Sequence, residues 1–170
     1  MNYDLTDLVA YNAYLELSDN YDWWERQQKG DTSGHENREH CSAFIATGFA
    51  TADGKIVAGH STWDGYLTGQ RTNAIVEITP MHGYRFVMET MPGMIHSGTD
   101  WSINDAGIIL AETTIGGFEG FDPSGVPEFI RARQAQQYSG SLDDVYRWLV
   151  HHNNGPLRQF PLGQKTGDRS

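Results

Sequence analysis

A chain of 170 residues that is 38% hydrophobic and 12% aromatic has the size and composition of one globular domain, which argues against a disordered or fibrous chain. Twenty-two acidic residues against twelve lysines and arginines give a net charge of -10, the wrong sign for a surface that grips nucleic-acid phosphates. A lone cysteine cannot form an internal disulfide, and no apolar run is long enough to span a bilayer.

Met1-Asn2-Tyr3-Asp4 lacks the basic-then-apolar pattern of a signal peptide, so these residues give no expectation of export. Leu5 to Gln28 reads as helix: Leu5, Leu8, Val9, Ala13 and Leu17 recur near the helical period, Asp4 or Thr6 caps the start, and Asp19-Asn20 interrupts it. The bulky Trp23-Trp24 pair is expected to pack on the domain. Lys29 to Glu39 is polar and glycine-containing, a loop that runs directly into the strand signal at Cys41.

From there the period changes to two. Ser42 to Thr47 and Lys55 to Ser61 read as strands, with Asp53-Gly54 as a tight primed turn between them. Ala74 to Thr79, Tyr84 to Thr90, Met94 to Ile103 and Ile108 to Thr114 continue as strands of an antiparallel meander. Gly116 to Gly125 is a glycine-rich loop without a Walker lysine or Rossmann spacing, so it implies no phosphate site. Pro127 opens a helix over Glu128 to Tyr138. Ser141 caps a second, with Asp143 and Asp144 in its first turn and Asn153-Asn154-Gly155 past its end. Helix, sheet meander, paired helices: the class is α+β, in three stretches. Residues 1–40 form a helical segment and linker, a candidate pro-segment; 41–155 carry the sheet and covering helices; 156–170 are an irregular tail.

Chemistry centres on Cys41. A thiolate attacks carbonyl carbon well, but a free thiol at neutral pH is mostly protonated and needs a base. Two bases are open to it: a nearby histidine, or its own α-amine once the His40–Cys41 bond is cut, which titrates near ~8. Read singly, other residues have plainer roles. A lone cysteine is most often a small buried hydrophobe, and His60 alone a hydrogen-bonded structural histidine. Trp63, Trp101 and Trp148 suit packing, Arg131 and Arg133 a solvated or salt-bridged helix face, and Thr99-Asp100 a local turn.

Five segments in order change that weighting: Cys41-Ser42-Ala43-Phe44-Ile45, Gly59-His60-Ser61-Thr62-Trp63, Ser97-Gly98-Thr99-Asp100, Glu112-Thr113-Thr114-Ile115 and Ile130-Arg131-Ala132-Arg133. Together they resemble the phospholipase B-like proteins and the related isopenicillin acyltransferase-like peptidases, cysteine-type N-terminal nucleophile hydrolases, over about Leu5 to Gly155. The resemblance implies an αββα sandwich, a precursor that cleaves itself between His40 and Cys41, and hydrolysis or transfer of an acyl group. It implies Cys41 as nucleophile, His60 and Trp63 on the following strand, and Thr99, before Thr113, near the pocket. The implied partner is a small acyl substrate: a lipid, a peptide or an N-acyl amide. No cofactor or metal is implied, and family members are often exported or lysosomal. The family's oxyanion asparagine lies on a further strand, whereas Pro156 to Ser170 shows no strand alternation, so the expectation is an incomplete sandwich whose remaining part is a partner. Two rival readings are a non-catalytic binding module and a metal protein using His35, His40, His60, His82 and His96, with Cys41 as a further candidate ligand and His151-His152 the one close pair.

Overall fold

The computed structural model describes residues 2–14, 16–31, 41–113 and 121–155. The 32–40 loop with His35 and His40, residues 114–120 of the glycine-rich loop and the 156–170 tail lie outside the described residues.

Helix α1, Leu5–Asn12, starts with a capping box: Asp4 accepts from the Asp7 backbone N–H, and Asp7 accepts from that of Asp4, each at 3.0 Å. The interruption expected at Asp19-Asn20 is a π-helix, Glu16–Tyr21, leading into α2, Asp22–Gln28. Trp24 is half-buried, with its ring 5.5 Å from that of Tyr21.

The strands form two antiparallel sheets. The first is the hairpin of β1, Ser42–Gly48, and β2, Gly54–Ser61. Its connection is longer than a two-residue Asp-Gly turn. The register shifts between Ala46 and Gly48, and Gly48 and Gly54 face each other with φ of 60° and 71°, a region glycine enters without steric cost. A short helix α3, Tyr66–Arg71, follows.

The second sheet is the expected meander, in order β3, Ala74–Ile78; β4, Phe86–Thr90; β5, Trp101–Asn104; and β6, Ile109–Ala111. The stretch read as one strand from Met94 is a strand only from Trp101. Before it, the chain bends around polar anchors: the Ser97 hydroxyl donates to Glu89 O, and the Thr90 hydroxyl to His96 O. These side chains satisfy backbone groups that a ladder would otherwise pair.

Helices α4, Glu128–Tyr138, and α5, Leu142–Val150, pack together, and α4 lies on β5. Phe86, Met88, Ile108, Phe129, Ala135 and Val145 are buried and form the core. Buried Asn104 ties sheet to helix. Its amide donates to Gln136 O and Ser139 O, and its oxygen accepts from the Ala106 and Ile108 N–H groups. Arg131 is fully buried rather than solvated, donating to Val126 O, Leu149 O and Asn154 Oδ1. Arg133 lies over the Phe86 ring at 4.7 Å and donates to Ile95 O. Asn154 also donates to the Glu16 carboxylate, which joins the π-helix to the end of the domain. Burial raises the Glu16 pKa, and hydrogen bonds from Asn154 and the Glu128 backbone, with Arg131 nearby, oppose it.

Candidate active site

The site forms where the hairpin meets the edge of the second sheet. Ala43 pairs with His60, and side chains two apart share a face of a strand, so Cys41, Ala43 and His60 belong to one face. Asp100 arrives from the bend before β5 with φ of 62°, a left-handed conformation that aspartate enters more readily than most residues. The Cys41 sulfur, a His60 ring nitrogen and an Asp100 carboxylate oxygen lie within 4.8 Å of one another, and all three residues are half-buried.

Two contacts hold the imidazole. His60 Nε2 lies 2.5 Å from Glu112 O, and since a carbonyl only accepts, Nε2 carries a proton. The other nitrogen, Nδ1, faces Thr62 Oγ1 at 3.2 Å, while that hydroxyl is within 3.0 Å of Thr99 O. One hydroxyl proton thus serves two acceptors. Directed at Nδ1, it suits a neutral ring; directed at Thr99 O, it leaves Thr62 Oγ1 free to accept from a protonated Nδ1. Thr62 accommodates His60 on either side of a proton transfer.

Burial raises the Asp100 pKa to about 6; the His60 charge and a hydrogen bond with the Glu112 side chain pull it down, while Asp64 pushes it up. The Glu112 backbone N–H also donates to Asp100 O at 2.9 Å. Behind Asp100 and Glu112 a cavity of about 70 Å³ runs between the sheet and α4, past Trp101, His96, Gln136 and Leu149. Gln136 Nε2 and His96 Nδ1 are buried there without hydrogen-bond partners among the described residues. Burial lowers the His96 pKa to about 4.

Of the residues singled out from the sequence, Cys41 and His60 come together. Trp63 is 63% exposed and Thr99 turns its hydroxyl to Glu89 Oε2 at 3.1 Å, an oxygen that Trp101 Nε1 also reaches at 3.3 Å. Thr99 meets the site through its carbonyl, and Thr113 is half-buried just beyond β6. His82, His151 and His152 are exposed, the last two with rings 4.4 Å apart, and His96 faces the cavity. Sequence reasoning passed over Asp100, Thr62 and Glu112. All three sit inside the five segments beside chosen residues; Glu112 reaches His60 through its backbone carbonyl, a role that no side-chain type signals.

The model of the family described as Phospholipase B matches residues 1–158. The chain belongs to the phospholipase B family. The resemblance drawn from the five segments is borne out at that level. An uncharacterized protein of Archaeoglobus fulgidus is 29% identical to this family member over 129 residues, 75% of the present chain. The match covers 21% of the archaeal protein, so the chain spans about a fifth of that relative's length. No solved structure gives a significant match.

Proposed function

We propose that this phospholipase B family member carries the nucleophile of a cysteine N-terminal nucleophile hydrolase or acyltransferase acting on an amide or ester acyl bond. The observation that carries the reading is the meeting of Cys41, His60 and Asp100 at the start of β1. In the precursor, the Cys41 thiol adds to the His40 carbonyl carbon and displaces its own amide nitrogen. That nitrogen takes a proton to become an α-amine, and water then hydrolyses the resulting thioester. In turnover, the thiol gives its proton to His60 or to the freed amine, and sulfur attacks the substrate carbonyl. The tetrahedral intermediate expels the amine or alcohol, which receives that proton. Water, or a second nucleophile in acyl transfer, then releases the acyl group from sulfur.

Asp100 supports a positive imidazole next to the sulfur, the arrangement that favours thiolate. Lipid, peptide and N-acyl amide substrates all present the carbonyl this chemistry needs, and the family description favours a lipid ester. An αββα sandwich also suits the second sheet. Its face opposite α4 exposes Ile75 and Ile103, the apolar residues a facing sheet would cover.

Intact mass spectrometry of the purified chain, with iodoacetamide labelling, tests the reading. The expected result is a chain beginning at Cys41 whose thiol alkylates quickly and that releases fatty acid or amine from an acyl substrate panel. An uncleaved chain with an inert Cys41 and no acyl release would sink it, leaving the binding-module reading.

A further inference from the structure

The donors gathered at the hairpin have a second chemical meaning. A thiolate sulfur, an imidazole nitrogen and a carboxylate oxygen form a mixed, borderline-soft set. That set suits zinc, and its sulfur and nitrogen tell against calcium and magnesium, which take oxygen shells. Donor atoms around a tetrahedral zinc ion stand roughly 3.3–3.8 Å apart, given metal–ligand bonds of about 2.0–2.3 Å. The three atoms here are within 4.8 Å of one another, so small side-chain rotations close them on one ion. Among the described residues this is the one group of three such donors.

Independent contacts already orient the ligands. Metal-bound imidazoles usually donate their second N–H to a carbonyl or carboxylate. His60 Nε2 does so to Glu112 O, which leaves Nδ1 as the nitrogen to bind. An ion at Nδ1 replaces the contact with Thr62 Oγ1, whose proton has Thr99 O as its alternative acceptor.

We propose that Cys41, His60 and Asp100 form a three-ligand site for a zinc ion, with a fourth position open, and that zinc occupancy silences the Cys41 thiol reversibly. Ion binding needs only the three side chains and does not require chain cleavage or hydrolysis, so it stands or falls apart from the hydrolytic reading.

The test uses the full, reduced chain without substrate. Cobalt(II) is titrated in as a spectroscopic stand-in and then displaced with zinc. The expected result is one equivalent of tetrahedral cobalt with a thiolate-to-cobalt charge-transfer band, lost on zinc addition. In Cys41→Ala the band disappears, and in Asp100→Asn affinity drops by about tenfold or more. A second measurement needs no variant: stoichiometric zinc slows iodoacetamide labelling of Cys41 by about tenfold or more, and a chelator restores it. The proposal is overturned if no charge-transfer band develops, if cobalt binds Cys41→Ala equally well, if a His151→Ala/His152→Ala variant abolishes binding, or if zinc leaves the labelling rate unchanged.

Discussion

The β1–β2 hairpin and the β3–β6 sheet are both antiparallel, yet they are held in place by different forces. No residue of the hairpin is fully buried, and Phe44 and Val57 stand 59% and 49% exposed. The second sheet, with α4 packed on it, buries Phe86 and Met88 to 1% exposure. Hydrophobic burial therefore anchors the sheet, while the hairpin docks through directional contacts, His60 to Glu112 O and Thr62 to Thr99 O. Cys41 immediately precedes the weakly packed hairpin, and Asp100 immediately precedes β5 of the well-packed sheet. Under the proposed function, such an arrangement suits a junction that opens for chain cleavage and closes for turnover.

The comparison is broken or sharpened most by changes at its two ends. Under the proposed function, Cys41→Ala should lower acyl release by about 10³-fold or more while leaving the melting temperature within a degree or two, since a half-exposed thiol contributes little packing. A large loss of stability instead would make Cys41 a structural residue. Phe86→Ala should cost about 3–5 kcal/mol in urea unfolding, and Phe44→Ala less than about 1 kcal/mol. Equal costs would mean that the hairpin is packed as firmly as the sheet.

Asn104→Ala strands two carbonyls and two N–H groups and should cost about 2–4 kcal/mol. His96 gives the sheet a pH signature. Its folded value of about 4 lies below the ordinary 6.5, so between those values the unfolded chain binds a proton that the folded chain does not. Stability is then fully present above about 6.5 and falls as the pH drops to about 4. His96→Phe should flatten that slope by about 2 kcal/mol across the window. Thr62→Val should have a small effect, about 1 kcal/mol, seen as faster amide exchange in β1 and β2 with protection of β4 unchanged. If β4 exchanges faster too, hairpin and sheet open as one unit.

The elements with a clear period were legible in the sequence: α1, α4 and α5 by their caps and apolar stripes, β1 to β4 by alternation and turn residues. The family was legible from the order of five short segments, none of them decisive alone. Met94 to Asp100 was misread as strand because Ser97 and Thr90, which hold the bend, satisfy backbone groups through tertiary hydrogen bonds that leave no periodic trace. Arg131 read as a solvated or salt-bridged helix arginine because its three acceptors lie five to twenty-three residues away along the chain.

The sequence by itself determined the class of the fold, the family, and the presence of a single thiol, because these depend on residue type and local order. Only the tertiary structure decided what surrounds that thiol. It brought Asp100 from a turn to the sulfur, set the Glu112 carbonyl against the imidazole, and turned the Thr99 hydroxyl to Glu89 while its carbonyl met Thr62. Those are contacts across long loops, fixed by where the two sheets meet, and neither composition nor period encodes that meeting point.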